Sequence, residues 1–83
     1  MKVEVKLPQW GMAMLDGQIV QWLKAEGDQV AKGEPLVEVE ADKATDTVNA
    51  PVAGRLVRIV VAEGGVAEVA QTIAEIDAED SAS

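Results

Sequence analysis

Pro35-Leu36-Val37-Glu38-Val39-Glu40-Ala41-Asp42-Lys43-Ala44-Thr45-Asp46-Thr47-Val48-Asn49 is the stretch on which the reading of this chain turns. From Val37 to Ala41 apolar and acidic residues alternate, the period of a strand with one face buried. Thr45–Asn49 is a second strand-like run, rich in β-branched residues. The two runs predict a hairpin that reverses at Asp42-Lys43. Asp42 suits the turn because its carboxylate can accept local backbone N–H bonds. Lys43 then becomes a primary amine held away from the packed body, its direction fixed by the strand ladder.

The rest of the chain offers little chemistry of its own. It has no His, Cys or Tyr, no glycine-rich phosphate loop and no candidate triad. A disulfide framework is excluded, and a zinc site has no soft ligands to use. The 83 residues predict one domain with an affordable core, since 48% are hydrophobic. A net charge of −8 argues against nucleic acid, which needs a basic face. It favours a soluble, monomeric domain whose partners present basic surfaces. Met1-Lys2-Val3-Glu4-Val5 alternates and does not read as a signal peptide. No apolar run is long enough to span a bilayer. The absence of cysteine fits a reducing compartment without proving one; the expected location is the cytoplasm, or a mitochondrial matrix in a eukaryote.

Strands are also expected at Val3–Leu7, Gly17–Leu23, Gly54–Val61 and Gln71–Asp77, separated by turn residues such as Asp16-Gly17, Gly27-Asp28, Gly33 and Gly64-Gly65. Pro51 ends the strand that follows Lys43. Short strands at regular spacing predict an all-β sandwich or flattened barrel. An internal repeat supports this: sliding the chain by 37 residues lays Gly17–Glu40 on Gly54–Asp77, with 6 of 24 positions identical. Seven more exchange one apolar residue for another, Trp22 for Ile59 among them, which marks Trp22 as core. Two similar halves around a shared core would be related by a pseudo-two-fold axis. The Lys43 tip and the C-terminus would then lie at opposite ends of the body. Residues 1–77 form the expected domain, and 78–83, small and polar, read as the start of a flexible linker.

Turn lysines are common, and Lys32 in Ala31-Lys32-Gly33 is another. Around Lys43 the residues suited to recognition by a modifying enzyme are the acidic Glu40 and Asp42 and the small Ala44; a plain solubility role for the two acids fits equally well.

Glu40-Ala41-Asp42-Lys43-Ala44 resembles the lipoyl-attachment motif of the 2-oxo acid dehydrogenase complexes, usually Glu-Thr/Ser-Asp-Lys-Ala. The likeness covers nearly the whole chain: Gly17-Gln18-Ile19-Val20, Glu26-Gly27-Asp28-Gln29-Val30, Lys32-Gly33-Glu34-Pro35-Leu36 and Ala50-Pro51-Val52-Ala53-Gly54 all match family stretches. The resemblance implies a flattened barrel of two four-stranded antiparallel sheets with lipoate in amide linkage to Lys43. It implies a carrier that catalyses nothing itself. Its partners would be a lipoate-attaching enzyme, a thiamine-dependent first component, the acyltransferase catalytic domain and a flavin-dependent dihydrolipoyl dehydrogenase. The parent chain would be a dihydrolipoamide acyltransferase of a 2-oxo acid or acetoin dehydrogenase complex.

The same resemblance draws attention to Leu7-Pro8-Gln9-Trp10-Gly11-Met12-Ala13-Met14. In the family this loop lies near the modified hairpin and helps partners distinguish domains, which makes Trp10, Gly11 and Met12 recognition residues. Pro-x-Trp-Gly-x-x-Met is similar to the form in acetoin-cleaving and some branched-chain or pyruvate systems. Against this, Trp10, Met12 and Met14 could simply cover the edge of the core. The chain departs from the family pattern at Ala41, at Asp46, which is expected to be exposed because a core carboxylate is costly, and in the less regular Glu63–Val69. A biotinyl carrier domain shares the fold but has Met on both sides of its lysine, where this chain has Asp42 and Ala44. A glycine-cleavage hydrogen carrier would be longer. An adaptor-type interaction domain would not need the lysine, and an enzyme would need a cleft around pairs such as Glu38/Glu40.

Overall fold

The computed structural model describes residues 1–11, 14–41 and 44–78. Its eight strands are β1 (Lys2–Lys6), β2 (Asp16–Trp22), β3 (Gln29–Val30), β4 (Pro35–Ala41), β5 (Ala44–Asn49), β6 (Gly54–Ile59), β7 (Val66–Glu68) and β8 (Thr72–Ala78). They form two four-stranded antiparallel sheets, in the orders β1-β8-β6-β3 and β5-β4-β2-β7. This is the all-β architecture expected from the strand spacing and the resemblance. β8 takes in Ala78, paired with Gly54, one residue past the expected domain end.

The two halves do not each make a sheet. The 37-residue slide carries β2 onto β6, β3 onto β7 and β4 onto β8. β1 and β5 take matching edge positions, so each sheet draws two strands from each half. Irregularities repeat as well. A bulge follows Ile19 in β2 and Leu56 in β6, which are repeat partners. Leu36 in β4 and Ile73 in β8 are both skipped in the register with the edge strand. A bulge lets two consecutive side chains face one side. Here it sends Leu36 with Val37, and Ile73 with Ala74, into the core. Ile19, Val39, Leu56 and Ile76 complete a centre with no buried polar residue among the described residues. Each fully buried Leu or Ile contributes about 1.5–3 kcal/mol.

The identical triplets Ala25-Glu26-Gly27 and Ala62-Glu63-Gly64 cross between the halves. β7 pairs with β2 only as far as Gln18, leaving the rest of that edge open. There the Trp22 N–H donates to the Glu63 carboxylate at 3.0 Å. β3 likewise stops at Arg55 on β6, and the Ile59 N–H donates to Glu26 at 2.8 Å. Gly27 N–H donates to the Leu56 carbonyl at 2.6 Å, and Gly64 N–H to that of Ile19 at 2.7 Å. Leu56 and Ile19 N–H groups return bonds to Asp28 and Gly65 at 2.9 and 2.8 Å. Each turn thus completes the short-paired strand of the opposite half.

The turns before β4 and β8 also match. Glu34 Oε1 accepts from the Ala31 N–H and Gln71 Oε1 from the Glu68 N–H, both at 2.9 Å. Lys24 holds Glu34 Oε2 at 2.8 Å. That bond lowers the Glu34 pKa below the ordinary carboxylate value and raises that of Lys24. Gly33 turns with φ +84°, and its repeat partner Ala70 with φ +71°. The second turn therefore places a β-carbon in the left-handed region, at a cost of about 1–2 kcal/mol. Ala70→Gly is expected to stabilise the chain by about 0.5–1 kcal/mol, and Gly33→Ala to destabilise it by about 1 kcal/mol. Urea unfolding of both variants reads the opposite signs; a destabilising Ala70→Gly would refute the assignment.

Candidate functional site

The β4–β5 ladder runs Val37↔Val48, Glu38↔Thr47, Val39↔Asp46, Glu40↔Thr45 and Ala41↔Ala44. Only two residues lie between the last pair, Asp42 and Lys43, and both are outside the described residues. The stem is rooted in the core through the buried Val37, Val39 and Val48. Towards the tip burial falls away: Ala41 is half-buried, and Glu40, Ala44 and Thr45 are exposed. Glu40 also pairs with Gln18 of β2, so β4 is held from both sides close to the tip.

Lys32 occupies the turn at the other end of β4. The Gly33 N–H donates to Ala50 and the Ala50 N–H to Glu34, both at 2.8 Å, which ties that turn to the far end of β5. Lys32 and the Ala41–Ala44 end of the hairpin are therefore separated by the full length of β4. β8, the counterpart of β4, begins on the tip side. Leu7 is bonded to Gln71 and Ala70 at 3.0 and 2.9 Å, and Leu7 Cδ2 would lie 3.6 Å from a β-carbon on Gly17, beside Glu40. β8 ends on the other side, where Ala78 donates to the Met1 carbonyl at 2.8 Å. The chain leaves β8 at the end remote from the hairpin, as the pseudo-symmetry required.

Beside the hairpin, Trp10, Gly11, Met14, Leu15, Asp16 and Asp46 line a cavity of about 490 Å³ together with Ala41 and Ala44. The structure thus brings Trp10 and Gly11 next to Ala44, while Glu40 stands outside the cavity. Met12 lies outside the described residues. The Trp10 N–H donates to Met14 Sδ at 3.5 Å, Gln9 Nε2 to the Met14 carbonyl at 3.2 Å, and Met14 N–H to Gly11 at 3.0 Å. Met14 is the anchor at 8% exposure, whereas Trp10 is 39% exposed and Leu15 78%. Covering the core edge therefore describes Met14 and not Trp10.

Two expectations need correction. Asp46 is half-buried rather than exposed. It pairs with Val39 and sits two residues from buried Val48, hence on the inward face of β5. The cavity lets solvent reach it, which spares the cost of a dry carboxylate. Trp22 is half-buried at the core margin, because its indole Nε1–H donates to the Val61 carbonyl at 2.8 Å. A buried indole needs such a partner. Leu15 was not singled out from the sequence, and Asp16 was read as a turn residue whereas it opens β2; the Asp46 orientation was available from the two-residue spacing to Val48.

Residues 3–76 match the biotin/lipoyl family model, described as "Biotin-requiring enzyme", and the chain belongs to that family. It is 42% identical over 73 residues to the dihydrolipoyllysine-residue acetyltransferase component of the pyruvate dehydrogenase complex of Corynebacterium glutamicum, covering 88% of this chain and 11% of that protein. It is 44% identical over 54 residues to the corresponding component of the acetoin cleaving system of Pseudomonas putida, covering 65% of this chain and 15% of the relative. The fold is similar to the lipoyl domain of the 2-oxoglutarate dehydrogenase complex of Azotobacter vinelandii, with TM-score 0.77 and 26% identity over 94% of this chain and 99% of that one. The chain thus spans a small fraction of the full-length relatives and nearly all of the isolated domain.

The contrast between Trp10 and Met14 is measurable. Met14→Ala is expected to cost about 2 kcal/mol of stability, and Trp10→Ala less than about 0.5 kcal/mol. Equal losses by thermal or urea unfolding would mean that Trp10 is structural.

Proposed function

We propose that this chain is a swinging-arm carrier domain with lipoate in amide linkage to the Lys43 side-chain nitrogen. The observation that carries the reading is the Ala41↔Ala44 pairing, which leaves Asp42 and Lys43 alone between two strands rooted in the core. Small residues at both shoulders, one half-buried and one exposed, fit an amine that a modifying enzyme must reach. Asp42 and Ala44, in place of a methionine pair, favour lipoate over biotin. Bound there, the dithiolane would supply acyl and electron acceptance, sulfur chemistry that a cysteine-free chain lacks.

The contribution of the chain is placement. The β4–β5 ladder directs the attachment point away from the body. Tethering at the remote end of β8 raises the local concentration of the arm at successive active sites. Glu40, Asp42 and Ala44 serve the lipoate-attaching enzyme; Trp10, Gly11 and Met12 serve recognition by the partners that load the arm. Those partners are a thiamine-dependent first component, an acyltransferase domain and a flavin-dependent dihydrolipoyl dehydrogenase. The names of the relatives support a parent chain of the acyltransferase class acting on pyruvate, 2-oxoglutarate or acetoin.

Incubation with a lipoate ligase and lipoate, followed by intact mass and peptide mapping, is expected to show one lipoyl adduct on Lys43. Lys43→Gln should show none while remaining folded, and Lys32→Gln should be labelled normally. Labelling of the Lys43→Gln chain would refute the site, and exclusive acceptance of biotin would make this a biotinyl carrier. Transplanting residues 8–14 into another lipoyl domain is expected to shift acylation towards the first component that serves this chain; unchanged acylation rates would remove the loop from partner choice.

A further inference from the structure

The mechanism proposed above leaves a second concavity unused. It lies where the two halves cross, far from the hairpin, and has a volume of about 760 Å³. That is room for two or three side chains. Its floor holds Trp22 and Ile59, which are repeat partners and both half-buried. Leu23 on its wall is 41% exposed; its repeat partner Val60, next to Ile59 in the chain, is 40% exposed. Glu26, Asp28 and Glu63 supply its acids.

The charges there are unevenly spent. Glu26 and Glu63 each use Oε2 on a backbone N–H of the opposite half. Neither carboxylate makes an ion pair among the described residues. Lys24, the one cation on the lining, is held by Glu34 at 2.8 Å. The concavity is therefore apolar in its floor and anionic at its sides, and the pseudo-two-fold axis makes the anions a matched pair. A second copy of this chain, itself at −8, would meet like charge there. Residues 79–83, Glu-Asp-Ser-Ala-Ser, contain no basic residue to fill it.

We infer that this crossing groove is a docking site for a partner protein segment that carries arginine or lysine next to an apolar side chain. The apolar residue lies on Trp22 and Ile59, and the cationic head reaches Glu26 or Glu63. A guanidinium beside the Trp22 ring gains a cation–π contribution as well. Carboxylates already held by backbone donors lose little side-chain freedom on binding, which lowers the cost of capture. The site is independent of Lys43 modification, so the Lys43→Gln chain is expected to bind equally well.

The probe is a synthetic peptide of repeated Ala-Leu-Arg triplets, titrated against the isotopically labelled chain, with Glu replacing Arg in the control peptide. Saturable amide shifts are expected at Trp22, Glu26, Ile59 and Glu63, and at the Trp22 indole N–H. Glu26→Gln combined with Glu63→Gln keeps a carbonyl acceptor for each backbone N–H while removing both charges. That variant is expected to bind roughly tenfold more weakly. Leu23→Ser, at an exposed position, is expected to weaken binding without unfolding the chain. Glu4→Gln with Glu68→Gln, both exposed and outside the groove lining, should change affinity by less than about twofold. Absence of saturable shifts, equal binding of the Glu peptide, or equal loss in the Glu4/Glu68 variant would overturn the proposal.

Discussion

The crossed exchange of Glu26 and Glu63 is the constraint on which the rest of this fold depends. β3 and β7 are too short to cover the strands they edge, and a two- or three-residue strand has little pairing energy of its own. Each carboxylate extends the short strand by one acceptor, placed on the opposite half. Charge-assisted bonds of this kind are among the stronger ones available to a backbone donor. With those bonds in place, two sheets that share no continuous strand are joined at their crossing, and the apolar interior closes. The bulges beside the same positions then set consecutive residues inward, which lets so small a chain bury so many aliphatic side chains.

Much of this was legible in the sequence. The alternation at Val3–Leu7 and Val37–Ala41, the β-branched run Thr45–Asn49 and the repeat of Gly17–Glu40 in Gly54–Asp77 marked six strands and the symmetry relating the halves. β3 and β7 were not legible as strands, because two or three residues cannot display a period of two. The interleaving of the halves was hidden for a different reason: which edges pair is decided by core packing, to which a pairwise comparison of repeats is blind. The identities at Ala-Glu-Gly were visible, but their cause was not, since a carboxylate's partner lies 33 to 41 residues away. Ala70 shows the repeat diverging at a cost, keeping the left-handed turn of Gly33 without the residue suited to it.

For the site, the sequence located the hairpin, and the register leaves only Asp42 and Lys43 between Ala41 and Ala44. It was less able to sort the neighbouring loop. Trp10 and Met14 look alike on a hydrophobicity scale, yet one is a surface residue and the other its anchor. Asp46 looked like an intrusion into the family pattern. It is instead accommodated by a cavity that admits water on the inward side of an edge strand.

The meeting of Met1 and Ala78 at one end of the body has a mechanical consequence. If both ends of the domain are held in a longer polypeptide, tension enters and leaves through the β1–β8 pair. Those strands are antiparallel, and Lys2 lies opposite Asp77 at the loaded end. Force would therefore open their rungs one after another rather than shear them together. The sheet bearing β4 and β5 would carry none of that load until β1 had peeled away. A domain pulled about by its neighbours would thus keep its hairpin aimed while the opposite edge absorbed the strain.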